Sequence, residues 1–494
     1  MSSELQTKTL DVRRQDQVIE RDESRVICRP LLHGGDPTRI KNIVQRIFQL
    51  DEQQTEQMLE EVLNNFISRH KNIREIFNYH FQKVQSFLPA IQNSSISESR
   101  KQLIGAYFTM EYTIESAALF NPSIVPHPDQ AGVEEGCKRF VMSFRAVGEG
   151  HISSLVFRSG IIEKNGDLSF DPESPYANTP VQLNPDYDRH LFQLKLDEMG
   201  KNNEISTHIL SRLPEIFNLE ELKEEINYLS ENPLFYKERQ LRCFHNMLRL
   251  ADSNYQVEFP ENSEISERVI FPVSEEESGG IEDARFVEFK EEDGGTIYYG
   301  TYTAYDGNSI LPQMIETRDF RKFRVRTLNG NAVRNKGMAL FPRKIKGKYV
   351  MLSRQDGENN HIMFSDKIYF WQQSKIIQRP RKYWEYIQLG NCGSPVETDE
   401  GWLVLTHGVG PVRTYSIGAI LLDLEDPSRV IGHLEEPLLS AEEHERSGYV
   451  PNVVYTCGTI IHHDRLIIPY AVADTQPALA SVPVDDLIDA MTRM

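Results

Sequence analysis

The fold is decided by the stretch IEDARFVEFKEEDGGTIYYGTYTAYD, residues 281–306, because related units follow it three times. These units are GMALFPRKIKGKYVMLSRQD (337–356), GSPVETDEGWLVLTHGV (393–409) and VVYTCGTIIHHDRLIIPYAVADT (453–475). Each has a short strand, a charged turn that contains Gly or Asp, and then a stronger strand of alternating character. The units begin near positions 282, 338, 393 and 453, so the sequence carries a weak repeat of regular spacing.

A repeat of this length with about four short strands is typical of one blade of a β-propeller. The four units and the strand-like sequence at 120–160 make five blades. A β-sandwich with irregular insertions is the alternative, and the regular spacing favours the propeller. The predicted fold is therefore mainly β, a five-bladed β-propeller with an N-terminal α-helical region and an α-helical insertion.

The segments outside the repeat carry apolar residues at helical spacing. We expect residues 1–119 to form a helical region behind a short disordered lead, MSSELQTKTLDVRRQDQ, and 120–494 to form the propeller. Asp36-Pro37 is a helix start signal, and 186–252 is the expected helical insertion. These helices must bury their apolar stripes, either against the propeller as a lid or buttress, or in a homo-oligomer where they reach over a neighbour's pocket.

Composition narrows the class of partner. Asp and Glu outnumber Lys and Arg by 73 to 54, for a formal net charge of −19, which argues against nucleic acid and anionic membranes as partners. No stretch approaches the ~18 apolar residues that a membrane-spanning helix needs. The five cysteines are scattered and never form a CxxC pair, so we expect a cytoplasmic protein with reduced thiols and no metal site.

Polar residues recur at matching points of the repeat, where the inner strands of a propeller would converge on one pocket. They are the segment Glu282-Asp283-Ala284-Arg285, Lys336 before a strand, His407 at a strand end, and Asp474 at a strand end. Each alone is typical of a surface salt bridge or a solvated loop. Because they recur at matching points of the repeat, we predict that together they form a functional site.

The sequence resembles glycoside hydrolase family 130, the mannoside phosphorylases and related β-mannosidases. The resemblance is carried by FNPSIV (120–125), FRAVGEG (144–150), GIEDARF (280–286), YTAYDG (302–307), NKGMALFPRKIKGKYVMLSR (335–354), FSDKIYFW (364–371), GNCGSPVETDEGWLVLTHGV (390–409), PNVVYTCG (451–458) and PYAVADT (469–475). It implies a five-bladed propeller, in agreement with the repeat count.

The resemblance implies that Asp283 is the proton donor, since it matches the Asp of the family's Glu-Asp-Pro-Arg segment. Ala284 replaces the usual Pro, whereas Asp283 and Arg285 are intact. An inverting enzyme needs one such acid, and in the phosphorylases the proton is thought to pass through the mannosyl 3-hydroxyl. We expect burial to raise the pKa of Asp283, with Arg285 opposing that shift.

The nucleophile separates two activities within the family. A phosphorylase needs cationic donors for inorganic phosphate, its co-substrate, and releases mannose 1-phosphate. Lys336 and His407 resemble the family's phosphate site, although Gly337 stands where an Asp is common, and Arg145 and Arg354 could assist. A β-mannosidase instead needs a carboxylate base for water, and the candidates are Glu397, Glu282 and Glu149.

These cations favour phosphorolysis of a β-mannoside oligosaccharide without a cofactor. A non-catalytic sugar-binding propeller is the third possibility. The candidates for holding the sugar are Asn121, Arg145, Arg285 and Asp474, with Tyr302 and Tyr305 either as an aromatic platform or as core residues.

Overall fold

The computed structural model describes residues 10–15, 17, 19–88, 96–183, 185–232 and 234–493, so positions 1–9 of the predicted disordered lead lie outside the described residues. The described chain is mainly β, as predicted. It divides into two compact units. The smaller unit is Asp22–Ser116 with Ser174–Asn178, and the larger holds 117–173, 179–493 and the described residues before position 22.

The smaller unit is helical. Its helices span Pro37–Phe48, Glu52–Phe66, Ile73–Val84 and Glu98–Tyr107, its short 3-10 turns are His33–Gly35 and Gln85–Phe87, and Val26–Pro30 pairs antiparallel with Thr109–Thr113. The predicted start at Asp36-Pro37 is confirmed, because the Asp36 side chain accepts hydrogen bonds from the amides of Thr38 and Arg39. The apolar stripes meet in one core that includes Val44, Leu63, Phe77 and Leu103.

The larger unit is built from antiparallel sheets. The first group of strands is Ala118–Pro126, Lys138–Val147, Ser153–Ile162, Leu168–Phe170 and Val269–Ile270. The second is Gly280–Lys290, Thr296–Tyr305, Ile310–Thr317, Lys322–Thr327, Tyr255–Glu258 and Val181–Leu183. A single parallel pair, Gly280 with Ser153, joins these two groups into an eleven-stranded sheet.

Three further sheets complete the unit. One contains Lys336–Leu340, Tyr349–Arg354, Asn360–Ser365 and Ser374–Gln378. The next contains Gln388–Asn391, Val396–Thr398, Gly401–Val409, Tyr415–Leu422, Val430–His433, Leu439–Ser440 and Thr492–Arg493. The last contains Val454–Tyr455, Ile460–His462, Arg465–Val472, Gln476–Pro483 and Arg13–Gln15. The short helices between strands are Glu149–His151, Ile265–Glu267, Glu275–Glu277, Pro411–Arg413, Glu443–Glu445 and Val484–Asp489.

Arg13–Gln15 corrects the prediction of a disordered lead. This segment pairs antiparallel with residues 479–481 at the edge of the last sheet. Arg14 donates to the Tyr470 hydroxyl over 3.2 Å and to Glu445 over 3.1 Å. The prediction was wrong because the open sheet edge and the Glu445 carboxylate lie more than 400 positions away in the sequence.

The segment 186–252 contains four helices, Arg189–Glu198, Glu204–Arg212, Leu219–Glu231 and Lys237–Asp252, with the strand pair Asp186–Asp188 and Ile216–Asn218. Their apolar faces pack into a core of their own around Leu196, Phe217 and Met247. Lys195 Nζ donates to the carbonyl oxygen of Leu328 over 2.7 Å, and Glu198 accepts from the amide of Gly330. The insertion therefore holds the loop that leads into the strand Lys336–Leu340.

Across the described residues, every helix is too short or too polar to cross a lipid bilayer.

Candidate active site

Three strands of the larger unit, Ala118–Pro126, Gly280–Lys290 and Lys336–Leu340, share an irregularity near their first residues. Their antiparallel register shifts between Phe120 and Ser123, between Glu282 and Arg285, and between Lys336 and Ala339. At these positions Asn121, Asp283 and Gly337 have φ angles of 50°, 55° and 86°, in the left-handed region. A bulge re-aims a side chain, and left-handed backbone at a non-glycine residue costs about 1–3 kcal/mol. The fold therefore stabilises unfavourable backbone where Asn121 and Asp283 meet.

The Asp283 carboxylate accepts hydrogen bonds from two neighbouring strands. Asn121 Nδ2 donates to Asp283 Oδ1 over 2.6 Å, and Arg145 Nη1 donates to the same oxygen over 3.3 Å. Through Nη2, Arg145 also donates to Glu282 Oε1 over 2.9 Å, and Glu282 Oε2 accepts from Lys336 Nζ over 2.5 Å. The structure thus brings together four residues that the sequence predicted for the site: Asn121, Arg145, Asp283 and Lys336.

The pKa of Asp283 lies below its ordinary value, which corrects the expected increase. Burial alone would raise the pKa of this carboxyl. The charges of Arg145, Arg285 and Lys336, together with the hydrogen bond from Asn121, lower the pKa by more than burial raises it. The expectation was wrong because it included one cation, whereas the fold gathers three. Asp283 is therefore held as a carboxylate when no ligand is bound.

The pKa of Asp474 is shifted in the opposite direction, upwards. It follows the strand Arg465–Val472 and has a φ angle of 50°. Burial and then the charge of Asp283 raise the pKa of Asp474 to about 6, against the opposing charges of Arg145 and Arg413. Two like charges in one partly buried site disfavour double ionisation, so of the two carboxyls Asp474 keeps its proton to the higher pH.

Arg354 and His407 meet next to Lys336. Lys336 and Arg354 are register partners at the ends of their strands, and Arg354 Nη1 lies 3.2 Å from His407 Nε2. His407 Nδ1 lies 3.3 Å from the carbonyl oxygen of Asn391, so Nδ1–H donates there and Nε2 accepts from Arg354. Burial, then the charges of Arg354 and Arg285, hold the pKa of His407 well below its ordinary value. His407 is thus a neutral acceptor for Arg354 in this structure, and its predicted place among the phosphate ligands stays a prediction.

Arg354 is a cation of the site without a carboxylate counterion among the described residues, as are Arg285 and Arg413. In the part of the chain that the structure describes, no carboxylate oxygen lies within 4.0 Å of the Arg354 guanidinium. Its Nε is buried and has no hydrogen-bond partner among the same residues. By contrast, Arg145 and Lys336 both pair with Glu282. A buried donor without a partner costs free energy, and an anionic ligand would remove that cost.

The structure places the other predicted residues elsewhere. Tyr302 is buried in the core and donates its hydroxyl to Glu277 over 2.6 Å, which matches the core alternative and not the platform. The Tyr305 hydroxyl donates to the carbonyl oxygen of Gly307 over 2.7 Å, within its own turn. Arg285 donates to the Tyr455 hydroxyl over 2.7 Å and to a backbone carbonyl, so it links strands beneath Asp283.

Two residues of the site escaped the sequence interpretation. Tyr455, within PNVVYTCG, receives the hydrogen bond of Arg285. Arg413 follows Pro411 in a turn, has a φ angle of 56°, and affects the pKa of Asp474. Tyr455 could have been found within a segment that carries the family resemblance. Arg413 had no such signal, because the position of that turn depends on tertiary structure.

Comparison with known proteins gives a consistent result. The family model of glycoside hydrolase family 130, described as beta-1,4-mannooligosaccharide phosphorylase, matches residues 230–493. The chain is 37% identical over 222 residues to the 1,2-beta-oligomannan phosphorylase of Thermoanaerobacter sp. (strain X514), covering 43% of this chain and 72% of that protein. It is 27% identical over 367 residues to the beta-1,2-mannobiose phosphorylase of Listeria innocua, covering 70% and 94%. The solved complex of the Listeria enzyme with beta-1,2-mannobiose matches at 21% identity and a TM-score of 0.45, over 77% of this chain and 92% of that one.

Proposed function

The chain belongs to glycoside hydrolase family 130, and we propose that it is an inverting β-mannoside phosphorylase. It cleaves a β-mannosidic bond with inorganic phosphate as co-substrate and releases mannose 1-phosphate, without a cofactor. The observation that carries this proposal is Arg354, a guanidinium without a carboxylate partner among the described residues, beside Lys336 and within one shared cluster with Asp283.

Arg354 and Lys336 are the proposed phosphate ligands. Phosphate is bound best by several charge-assisted donors, and the planar guanidinium matches two of its oxygens. The role of His407 is to fix the orientation of Arg354, because its Nε2 accepts from that guanidinium. Arg145 is already engaged by Glu282 and Asp283, so we assign it to the mannosyl side of the site.

Asp283 is the proposed acid. Phosphate bound at Lys336 and Arg354 adds negative charge next to the cations that lower the pKa of Asp283, so its binding favours protonation of that carboxyl. Phosphate then attacks the anomeric carbon from the face opposite the leaving oxygen, and the proton of Asp283 reaches that oxygen through the mannosyl 3-hydroxyl. The acid therefore becomes competent when the nucleophile is in place.

Asn121 and Asp474 are the proposed ligands of the mannosyl hydroxyls. Asn121 Oδ1 is buried and has no hydrogen-bond partner among the described residues, so it is ready to accept from a hydroxyl. Asp474, with its pKa raised to about 6, lies in the electrostatic range of Asp283 and Arg145. Asn121 donates to Asp283 directly, and the charge of Asp283 acts on Asp474.

Two of the three candidate bases of the hydrolase alternative are already engaged in ion pairs. Glu397 lies 2.9 Å from Arg343 and lines a cavity with Pro126 and Lys290, at the ends of the inner strands farthest from Asp283. Glu282 is engaged in two ion pairs. A general base for water needs an uncommitted carboxylate near the anomeric carbon, and neither residue meets that requirement. Glu149, in the turn after the Arg145 strand, remains the candidate that an assay must test.

We propose a five-bladed propeller as the architecture of 120–494, supported by a ring of contacts between five inner segments. The contacts are Pro122 O with Cys457 N at 2.9 Å, Ser123 Oγ with Phe286 N at 3.0 Å, Met338 O with Arg285 Nη1 at 3.3 Å, and Gly337 O with Asn391 Nδ2 at 2.7 Å. Gly393 adds the fifth, because a Cβ there would lie 2.6 Å from the Cys457 carbonyl oxygen. These contacts return to the segment where they start, as the inner strands of a propeller do.

One assay tests the function. The protein is incubated with β-1,2-mannobiose, β-1,4-mannobiose and β-1,4-mannosylglucose, each with and without inorganic phosphate. We expect mannose 1-phosphate in the presence of phosphate, and little turnover without it. Free mannose at the same rate in both conditions would establish the hydrolase instead. Binding of these sugars without turnover would leave the non-catalytic alternative.

Two further expectations remain proposals. A homo-oligomer through the helical regions is supported by the exposed Leu234, Tyr236 and Leu241, of which Tyr236 is 83% exposed. Light scattering decides it, and a monodisperse monomer at micromolar concentration would contradict it. Location in the cytoplasm is the other, and cell fractionation would test it.

A further inference from the structure

Two aromatic side chains stack on each other in the open. The rings of His151 and Tyr449 have centroids 5.8 Å apart and planes inclined by 29°. Tyr449 is 55% exposed, and its hydroxyl lies 3.4 Å from His151 Nδ1. Large exposed rings lose the stabilisation that burial would give them, so a stacked exposed pair is suited to contact with a ligand.

The backbone carries both rings to the margin of the site. His151 is in the turn after the strand that holds Arg145, and the next strand begins with Ser153, whose Oγ donates to the Ile281 carbonyl oxygen over 3.0 Å. This hydrogen bond anchors the end of the turn to Ile281, the residue before Glu282. His151 itself has a φ angle of 61°, in the left-handed region.

Tyr449 is anchored on the other side. Its amide donates to the Thr475 hydroxyl over 2.7 Å, and the following amide, of Val450, donates to the Ala473 carbonyl oxygen over 2.8 Å. These two acceptors flank Asp474. The aromatic pair therefore connects the turn after Arg145 with the turn that presents Asp474.

We infer that His151 and Tyr449 form a platform for the sugar on the leaving side of the scissile bond, the acceptor sugar of the reverse reaction. This inference rests on the proposed function. The pair lies at the turns of Arg145 and Asp474, whereas the phosphate ligands Lys336 and Arg354 come from a different sheet. An inverting displacement places the nucleophile and the leaving group on opposite faces of the mannosyl ring, so the leaving sugar is directed away from Arg354. An aromatic face suits the apolar C–H face of a pyranose ring.

The test uses the full chain and the variant Tyr449→Ala, with Tyr386→Ala as the matched control. Tyr386 is an exposed tyrosine, 69% accessible, in the loop before the strand Gln388–Asn391. In the synthetic direction, we expect Tyr449→Ala to raise the KM for the acceptor sugar about tenfold and to leave the KM for mannose 1-phosphate unchanged. Tyr449→Phe should stay close to the wild type because the ring is retained, and His151→Ala should show a smaller rise of the same kind.

Two outcomes would overturn the platform. One is an acceptor KM for Tyr449→Ala equal to that of the control. The other is a parallel rise in the KM for mannose 1-phosphate, which would indicate a general disturbance of the site. If the wild type releases mannose without phosphate, the proposed phosphorolysis fails separately. The platform is then tested by the KM for β-1,2-mannobiose in hydrolysis, where Tyr449→Ala must exceed the control.

Discussion

The two sides of the site, separated by Glu282, differ in how their charges are balanced. On one side, Asp283 receives hydrogen bonds from Asn121 and Arg145, so its charge is balanced within the protein. On the other, Arg354 has a neutral histidine and no carboxylate as its neighbour among the described residues. The difference teaches that the first side is organised around a carboxylate that the protein itself supplies. The second has room for an anion from solution, the role that we propose for phosphate.

The largest expected effect comes from removing the acid on the balanced side. Asp283→Asn keeps the shape and the hydrogen bond to Asn121 but removes the proton donor. We expect the kcat of phosphorolysis to fall by roughly 10²–10⁴-fold. Asp464→Asn, at an exposed turn, is the control and should match the wild type. Full activity of Asp283→Asn would contradict the assignment of both sides.

The next effect concerns the unbalanced side alone. Arg354→Met retains much of the side-chain length without the charge. We expect the KM for phosphate to rise about 10²-fold, the typical result of losing a buried charged ligand, while the KM for the mannoside changes little. Initial rates over a grid of both substrates measure this. An equal rise in both constants would show that the two sides are not separate.

The third effect follows from the raised pKa of Asp474. The pKa of Asp474 is raised to about 6 in the folded state, so folded protein binds this proton more tightly than unfolded protein, and stability falls as pH rises from about 4 to above 6. In the variant Asp474→Asn, the side-chain amide that replaces this carboxyl does not titrate. The variant should therefore exceed the wild type in free energy of unfolding above about pH 7, by at most about 3 kcal/mol.

Urea titrations at about pH 7.5 and about pH 4 measure this difference. It should vanish at the lower pH, where Asp474 is protonated in the wild type too. The same variant should bind the mannoside more weakly, if Asp474 holds a hydroxyl. A stability difference that persists at low pH would assign the effect to packing and not to charge.

The smallest effect is expected at His407. His407→Ala removes the acceptor that orients Arg354 but leaves its charge, so the KM for phosphate should rise about threefold to tenfold. Since the pKa of His407 lies well below its ordinary value, this KM should show no step from its titration near neutral pH. A step in the pH dependence of this KM near neutral pH that disappears in His407→Ala would show that His407 becomes charged in that range.

The sequence predicted the composition of the site better than its electrostatics. Asn121, Arg145, Asp283 and Lys336 do lie together near the first or last residues of their strands. The repeat pointed to Asp283 and Lys336, whereas Asn121 and Arg145 lie in segments that carry the family resemblance. The sign of the pKa shift of Asp283 could not be predicted. It depends on how many cations approach one carboxylate, and a linear pattern does not contain that number.

The same limit explains the other differences. Alternation along a strand does not say which of its faces meets another layer, so Tyr302 could be read either as platform or as core. The edge strand Arg13–Gln15 depends on a partner at the far end of the chain. The neutral state of His407 depends on Arg354 and Arg285, which the sequence does not place next to it. Contacts between distant segments decided each case.

The two hydrogen bonds from the helical insertion to the loop 328–335 link the stability of a peripheral segment to the site. Lys195 and Glu198 bind the backbone of Leu328 and Gly330, a few residues before Lys336. If the helices of 186–252 open locally, this loop loses two of its anchors, so its amides should exchange with solvent deuterium at the rate set by the opening of the insertion. A mutation in the core of the insertion would then reduce the occupancy of the proposed phosphate site, although the mutated residue does not contact substrate.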